Sequence, residues 1–394
     1  MNKKTIKDID VNGKKVFIRV DYNVPMDENL NITNDKRITA TLPTLNYLLE
    51  QNAAIIIACH LGRPKGERVA KFSVKPVVAR LSELLGREVK FAEDCVGEVA
   101  EKAAAALKPG EVLLLENLRY HSEEEKNDPA FSKQLASLAD VAVNDAFGVS
   151  HRAHASVEGI TKHVEMVAGF LMEKEIKFIG QTLANPEHPF VAIIGGAKVS
   201  DKIGVIDNMI DKVDTIIIGG GMANTFNAAK GYGVGKSLCE TDKFELALSL
   251  LKKAEAKGVK VVLPVDVVIA DKFAADANTK IVPADQIDPE WMSLDSGPKT
   301  TELYQAALKD AKTVVWNGPM GVFEFDAFAK GTEAVAKAVA DSAAISIVGG
   351  GDSISALKKT GLSDKITHIS TGGGATLEFL EGKVLPGIAA IADK

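Results

Sequence analysis

Short runs of β-branched and aliphatic residues alternate with longer amphipathic stretches along the chain. In the first half, five such runs end in polar residues, and the stretches between them carry apolar residues at helical spacing. This alternation predicts βαβ units and a parallel sheet, with a ligand crevice at the carboxyl ends of the strands. The predicted strands begin at Lys14, Ala53, Glu88, Glu111 and Val141, and the predicted helices begin at Thr41, Val74 and Glu98.

The second half repeats the strand-then-helix pattern, but its runs end mainly in glycine. Four of six runs end in GG or GGG, and a fifth ends in Asn317-Gly318-Pro319. Glycine at a strand end lets backbone N–H groups approach a phosphate that a side chain would obstruct. The pattern therefore predicts a nucleotide crevice. The runs are VAIIGGAK, TIIIGGGMAN, KVVLPVD, TVVWNGPMG, ISIVGGGDS and THISTGGGA.

A helical pattern from Leu171 to Ala184 separates the two halves, with Ile176, Ile179 and Leu183 at helical spacing. Because 394 residues are too many for one comfortable core, we expect two domains with this helix as the connector and a hinge within residues 171–190. The predicted fold class is α/β, with two Rossmann-like three-layer α/β/α domains, each built on a parallel sheet.

Composition limits the possible partners. A net charge of -6 argues against a surface that binds nucleic acid or an anionic membrane. The charged start and the lack of an apolar run near 18 residues predict a cytoplasmic protein. Cys59, Cys95 and Cys239 have no metal-binding or disulfide spacing, so we interpret them as packing residues.

All eight arginines lie in the first 152 residues. Arg19, Arg37, Arg63, Arg119 and Arg152 lie at or near predicted strand ends, as do Asp21, Asn23 and His60. Guanidinium groups bind carboxylate and phosphate bidentately, so this set predicts a small, multiply anionic ligand. We expect ordinary salt bridges from Arg68, Arg80 and Arg87, a solvated loop at Glu123–Lys126, and loop hydrogen bonds from His151 and His154.

Lys198 and Lys202 follow the glycines of the first run in the second half. If a helix begins near Ala197, the two ammonium groups share one face beside its electropositive end and suit a polyphosphate, although an ordinary surface helix would also carry them. Asp352 follows GGG and could hold Mg²⁺ or cap a helix, and the nearby lysines favour the metal role. No Walker A loop is present. The GxGxxG pattern is absent as well, and its absence disfavours a dinucleotide dehydrogenase.

Seven motifs then resemble the phosphoglycerate kinase family, in the family's order and over nearly the whole chain. They are RVDYNVP (19–25), HLGRP (60–64), LENLRYH (115–121), NDAFGVSHRAHAS (144–156), GGAKVSDKI (195–203), VWNGPMGVFE (315–324) and GGGDS (349–353). The resemblance implies reversible, Mg²⁺-dependent phosphoryl transfer between 1,3-bisphosphoglycerate and ADP, giving 3-phosphoglycerate and ATP, in glycolysis and gluconeogenesis. It also implies a monomer.

The resemblance further implies the domain limits and the site residues. Residues 1–170 would bind 3-phosphoglycerate, with 379–394 folding back onto them, and residues 171–378, including the connecting helix 171–185, would bind the nucleotide. The implied catalytic residues are Arg37, Lys198, Gly350 and Gly373. The implied substrate-binding residues are Arg19, Asp21, Asn23, Arg37, His60, Leu61, Gly62, Arg63, Arg119 and Arg152. The implied nucleotide-binding residues are Gly195, Lys198, Lys202, Gly219, Gly220, Asn317, Pro319, Gly321, Val322, Glu324, Gly349, Gly350, Gly351, Asp352 and Ser353, with Asp352 as the metal ligand and Glu324 on the ribose.

Two other functions remain open at this level. One is a dinucleotide dehydrogenase, and the other is a nucleotide-binding protein without catalytic activity. The kinase reaction would use a carboxylate acceptor, which is ionised at neutral pH, so the lack of an evident general base is compatible with it.

Overall fold

The computed structural model describes residues 1–394, which form two compact units. Unit 1 comprises Met1–Lys177 and Val384–Lys394, and unit 2 comprises Phe178–Lys383. The predicted domain limits at residues 170 and 378 therefore fall a few residues before the observed divisions.

Unit 1 contains a six-stranded parallel sheet in the order β3-β4-β2-β1-β5-β6. Its strands β1 to β6 are Lys15–Arg19, Ala54–Ala58, Val89–Ala92, Val112–Leu115, Val141–Asn144 and Met166–Ala168. Its helices α1 to α6 are Lys36–Thr39, Leu42–Glu50, Val77–Leu85, Gly97–Ala106, Pro129–Ala136 and Phe170–Glu175. The five predicted strands and three predicted helices are all present.

Both faces of this sheet are covered, which explains why its strands read as continuous apolar runs. Along β1, Val16 and Ile18 join one hydrophobic cluster, whereas Phe17 joins another on the opposite face. Leu45 and Leu48 from α2 fill the first cluster. Residues of α4 and α5, among them Ala100, Ala104, Phe131 and Leu135, fill the second. Unit 1 is thus a three-layer α/β/α arrangement.

The chain end is part of unit 1. Ala392 accepts a hydrogen bond from the Lys4 N–H at 2.8 Å, and its own N–H donates to the Met166 carbonyl at 2.9 Å. Lys3 and Asp393 form an ion pair at 2.9 Å. These contacts hold the segment from Val384 to Lys394 beside β6.

The predicted connecting helix is not a regular α-helix. It starts with α6 (Phe170–Glu175), continues as a π-helical segment (Ile176–Gln181) and ends with α7 (Thr182–Ala184). Ile176, Ile179 and Leu183 are buried, as their spacing predicted. The division between the units falls within the π-helical segment.

Unit 2 has a second six-stranded parallel sheet, in the order β15-β14-β13-β7-β8-β9, and a three-stranded antiparallel sheet, in the order β11-β10-β12. Its strands β7 to β15 are Phe190–Ile194, Thr215–Ile218, Lys260–Val262, Asp266–Ala270, Thr279–Pro283, Met292–Ser296, Thr313–Asn317, Ile345–Gly349 and His368–Ser370. All six predicted strands lie in the parallel sheet. The antiparallel sheet was not predicted.

The helices of unit 2 include α11 (Pro298–Leu308) and α12 (Lys330–Asp341). Their Tyr304, Val335 and Val339 share a cluster with Val191 and Ile193 of β7. Helices α7 to α14 are Thr182–Ala184, Ile203–Ile210, Gly221–Ala229, Phe244–Ala256, Pro298–Leu308, Lys330–Asp341, Gly351–Thr360 and Gly374–Leu380; a last helix, α15, is Pro386–Ala389 in unit 1. The predicted α/β fold with two parallel sheets is confirmed. No helix has both the length and the apolar character needed to cross a bilayer.

Candidate active site

The carboxyl ends of β1 and β2 place the first group of predicted ligands together in unit 1. Arg37 of α1 donates to the Asn23 carbonyl at 2.8 Å and to Asp21 Oδ1 at 3.2 Å. Asn23 Oδ1 in turn accepts from the Gly62 N–H at 2.9 Å, which joins the two loops. The Arg37 side chain is still 48% exposed, so its guanidinium is oriented by the protein and open to an anion.

His60 is held in one tautomer by Arg19. Its Nδ1 lies 3.0 Å from Arg19 Nη2, and because a guanidinium can only donate, Nδ1 must accept and the ring proton must reside on Nε2. Burial, followed by the charges of Arg19 and Arg119, holds the pKa of His60 well below its ordinary value. His60 is therefore a neutral hydrogen-bond donor at neutral pH.

Arg19 itself does not face a ligand, which corrects its predicted role. Its side chain is fully buried and donates to Ser156 Oγ at 2.9 Å and to the Val20 carbonyl at 2.6 Å, besides its bond to His60. With Nε, Nη1 and Nη2 each bonded inside the protein and the side chain 0% exposed, Arg19 has no donor atom directed at solvent and contacts His60 instead.

Positive charge is concentrated around His60. Burial and then the charge of Arg19 lower the pKa of Arg119, whose Nε is buried without a hydrogen-bond partner. Burial, Arg119, Arg19 and Arg152 lower the pKa of His154 to about 4. The nearest carboxylate to Arg119 is Glu125, whose Oε1 lies 3.9 Å from Nε. Cations that repel one another at close range are stabilised by a bound anion. The predicted convergence of arginines is thus present, with Arg63 and Arg152 at its exposed edge.

Several other unit 1 predictions need correction. Glu124 is fully buried, so Glu123–Lys126 is not simply a solvated loop. His154 Nδ1 is buried without a partner, contrary to the expected hydrogen bond. Arg80 does pair with Asp35 at 2.8 Å, but Arg87 donates to the Gly110 carbonyl and not to an acid.

Two further features of unit 1 bear on the predictions. Leu61 is buried, and its carbonyl accepts from Asn117 Nδ2 at 2.8 Å. Cys59 and Cys95 are buried, as packing residues should be, while Cys239 is half-buried. Cys95 also lies within 4.8 Å of ligand atoms on Asp94 and His121, a proximity that the spacing of the cysteines did not indicate.

In unit 2 the glycine turns divide into two kinds. A Cβ on Gly195 would lie 2.1 Å from the Pro319 carbonyl oxygen, and one on Gly220, which has φ +75, would lie 2.5 Å from the Gly196 oxygen. These glycines are required because backbone packs against backbone. Gly351 and Gly373 have no atom within 4 Å of a Cβ position, so that space is open to a ligand. Other crowded glycines are Gly219, Gly318, Gly321, Gly349 and Gly350.

The expected arrangement of the two lysines is wrong. Lys198 precedes a 3₁₀ turn (Val199–Asp201), and α8 begins only at Ile203, so the two lysines do not share one α-helical face. Lys198 is exposed, whereas Lys202 is half-buried and donates to Asn317 Oδ1. Burial lowers the pKa of Lys202.

Asp352 lies in the first turn of α13, whose N-cap is Gly350, and its carboxylate is exposed. The alternative role of Asp352 as an N-cap is therefore wrong. Its neighbour Ser353 is buried, and the Ser353 Oγ accepts from the Gly318 N–H at 2.7 Å. Ser353 thus connects the turn after β13 to the start of α13.

A cavity of about 560 Å³ opens beside these turns within unit 2, in the range typical of small-molecule sites. It includes the predicted residues Gly220, Pro319, Gly321, Val322, Glu324 and Asp352. Its apolar walls include Leu238, Phe273, Met292, Leu294 and Met320, which the sequence interpretation missed. Met292 and Leu294 belong to β12, so the cavity depends on the unpredicted antiparallel sheet.

The sequence is similar to those of known proteins over nearly its whole length. The family model described as phosphoglycerate kinase matches residues 6–383. The phosphoglycerate kinase of Moorella thermoacetica is 59% identical over 394 residues, covering 100% of both chains. The cytosolic phosphoglycerate kinase of Nicotiana tabacum is 58% identical over 393 residues, covering 99% of this chain and 98% of the relative.

Solved structures show the same relationship. The structure of phosphoglycerate kinase from Coxiella burnetii has a TM-score of 0.93 and 43% identity, and that from Pyrococcus horikoshii has a TM-score of 0.82 and 36% identity; each comparison covers 98% of both chains. With the family match extending from residue 6 to residue 383, the chain belongs to the phosphoglycerate kinase family, enzymes whose glycolytic reaction transfers a phosphoryl group between 1,3-bisphosphoglycerate and ADP.

Proposed function

We propose that unit 1 binds the phosphoglycerate through the arginine and histidine cluster and that unit 2 binds the nucleotide. The observation that carries this division is the group of mutually repelling cations around His60. Arg37, Arg119 and His60 converge there, and the pKa values of His60 and Arg119 are lowered by burial and by their neighbours. A phosphate or carboxylate would relieve that repulsion.

The other predicted substrate ligands have supporting positions. Asp21 and Asn23 orient Arg37, and Gly62 fixes the loop that carries Arg63. Arg63 and Arg152 are exposed at the edge of the cluster and can reach a ligand that arrives from solvent. Arg19 acts through His60 in this proposal, because its own donors are occupied.

The nucleotide is proposed to occupy the cavity of unit 2. The apolar walls suit a purine base, while the exposed Glu324 carboxylate can accept hydrogen bonds from ribose hydroxyls. The phosphates would then extend toward Lys202, Asn317 and the start of α13. Open space at Gly351 and Gly373, at the N-termini of α13 and α14, allows backbone N–H groups to meet the phosphate oxygens.

Mg²⁺ fits the residues at this point. Asp352 offers an exposed carboxylate, the hard oxygen ligand that Mg²⁺ takes when substrate phosphates and waters complete its coordination. The ion supplies charge neutralisation on the phosphates when it is bound. Asp352 itself is one negative group at a helix N-terminus, where the helix dipole favours it.

Catalysis is then a matter of position and charge. Phosphoryl transfer has a loose transition state with charge on three equatorial oxygens. Arg37 and Lys198 are exposed cations free to approach those oxygens, and the backbone at Gly350 and Gly373 adds helix N-termini. No general base is required, which suits a substrate site whose two buried histidines are neutral.

The test is a coupled assay with ATP and 3-phosphoglycerate on Arg37→Ala and Lys198→Ala. We expect each to lose on the order of a hundredfold in kcat, the usual effect of removing a group that stabilises the transition state. Arg87→Ala and Lys365→Ala are matched controls, because both residues are exposed and lie outside the proposed ligand sets. Turnover like that of the wild type in either site variant would refute the role of that residue.

We also propose that the chain acts as a monomer in the cytoplasm and that residues 171–190 form the hinge. Both sets of ligands belong to one chain, and the tobacco relative is described as cytosolic. Light scattering during size-exclusion chromatography would test the monomer. Solution scattering with and without both ligands would test the hinge, since unchanged dimensions would contradict it.

A further inference from the structure

Glu124 is a charged residue that the proposed reaction does not yet use. Its side chain is fully buried in the loop between the Leu118–Tyr120 turn and α5. Its Oε1 accepts from the Ser156 N–H at 2.8 Å, and its Oε2 accepts from the Ser156 hydroxyl at 2.5 Å. A buried carboxylate is costly unless it is paired, and its ionic partner is Arg19, at 3.7 Å.

Hydrogen bonds connect Glu124 to His60 through Ser156 and Arg19, and the donor and acceptor of each bond are fixed. Since the carboxylate only accepts, Ser156 must donate its hydroxyl proton to Glu124, which leaves a lone pair for Arg19 Nε at 2.9 Å. Arg19 Nη2 then donates to His60 Nδ1 at 3.0 Å. The ring proton of His60 is thereby forced onto Nε2.

His60 Nε2 is the last polar atom in this series of hydrogen bonds. Nε2 makes no hydrogen bond to a protein atom, and the titratable groups whose charges act on the ring are Arg19, Arg119, His154 and Arg37. An N–H at that position is attractive to a carboxylate or phosphate oxygen. The other tautomer would present a lone pair there and repel the same ligand.

We propose that Glu124 and Ser156 are positioning residues for phosphoglycerate recognition, which hold Arg19 so that His60 always presents Nε2–H to the anionic substrate. This proposal rests on the proposed role of His60 as a substrate ligand. Without the Glu124 charge, the Ser156 hydroxyl is free to rotate, and Arg19 loses the partner that fixes its orientation. His60 would then exchange between tautomers, and substrate binding would weaken without any loss of a direct ligand.

The first experiment compares Glu124→Gln with Glu123→Gln, its exposed neighbour. Steady-state kinetics should show the KM for 3-phosphoglycerate raised about tenfold in Glu124→Gln, with the KM for ATP unchanged. Glu123→Gln should resemble the wild type. Because Glu124→Gln could impair folding, Ser156→Ala serves as the milder variant: it removes only the hydroxyl and should raise the same KM.

The second measurement reads the tautomer directly. Nitrogen NMR of ¹⁵N-histidine-labelled protein should show His60 as the pure Nε2–H form in the wild type and as a mixture in Glu124→Gln and Ser156→Ala. A purely structural role would lower stability and leave the tautomer unchanged. An unchanged tautomer, or an unchanged KM for 3-phosphoglycerate in both variants, would therefore overturn the proposal.

His60→Gln separates this proposal from the one on which it rests. If His60→Gln leaves the KM for 3-phosphoglycerate unchanged, the assignment of His60 as a substrate ligand is wrong. If His60→Gln raises that KM while Glu124→Gln and Ser156→Ala do not, the ligand assignment stands and only the positioning role fails.

Discussion

Asp145 should make the stability of unit 1 fall as pH rises toward neutrality. The residue follows β5 and is 2% exposed; its Oδ1 accepts from the Leu171 N–H at 2.9 Å, and its Oδ2 is buried without a partner. A Cβ on Gly169 would lie 2.2 Å from Oδ1, so the backbone closes tightly over the carboxyl group. Burial raises the pKa of Asp145 from 3.8 to about 7.

The direction of this pH dependence follows from the linkage between protonation of Asp145 and folding. Because the folded state holds this proton more tightly than the unfolded chain does, the stabilisation is fully present below pH 3.8 and is lost as pH rises through about 7. A shift of about 3 pKa units corresponds to about 4 kcal/mol in total, of which roughly 2 to 3 kcal/mol should disappear between pH 5 and pH 8.

Asp145→Asn tests this reasoning, because the amide is neutral and its oxygen can still accept from Leu171. Urea unfolding followed by circular dichroism from pH 5 to 8 should give a flatter dependence in the variant, which should be more stable than the wild type above pH 7. Asp10→Asn, at an exposed position, is the control and should keep the wild-type slope. Parallel curves for Asp145→Asn and the wild type would show that Asp145 is not protonated in the folded state, and would refute the argument.

Three further substitutions test unit 2. Gly195→Ala should cost more than about 2 kcal/mol in the free energy of unfolding, because its Cβ would lie 2.1 Å from the Pro319 oxygen, whereas Gly351→Ala has open space and should leave thermal unfolding nearly unchanged. Equal melting temperatures for Gly195→Ala and the wild type would contradict this. Lys202→Met should raise the KM for ATP about tenfold and leave the KM for 3-phosphoglycerate unchanged, since Lys202 lies beside Asn317 in unit 2. A change confined to 3-phosphoglycerate would contradict the assignment.

The sequence predicted strands best where burial on both faces of a sheet alone determines which residues occur. Continuous apolar runs are typical of strands buried on both faces. The eleven predicted strands all lie in the two parallel sheets, including Val89–Ala92 and His368–Ser370, whose runs contain polar residues. The antiparallel sheet was missed because two of its three strands lack that signal, whereas the third, Asp266–Ala270, is apolar but was not predicted as a strand. Thr279–Pro283 is largely exposed, and Met292–Ser296 is mostly polar.

Local spacing was a poor guide where tertiary contacts determine the backbone. The interval between Lys198 and Lys202 matches one helical turn, but the chain there forms a 3₁₀ turn and starts α8 only at Ile203. The glutamates at 123 and 124 are equally polar in sequence, although only the second is buried. Its partner Ser156 lies in the motif NDAFGVSHRAHAS, so the resemblance included the position without indicating its contact.

The glycines of unit 2 have two different roles, one in packing the fold and one in leaving room for a ligand. A GG or GGG ending indicates that side chains are excluded, but it does not say what excludes them. At Gly195 and Gly220 the excluding atoms are the protein's own carbonyl oxygens, so these glycines let neighbouring turns pack. At Gly351 and Gly373 no protein atom fills the space, although the φ of +54 at Gly373 by itself favours glycine. Both lie at the start of a helix, where backbone N–H groups attract anions. The absence of a side chain there leaves room for a ligand, so these two glycines are the ones that we expect to meet the phosphates of the nucleotide.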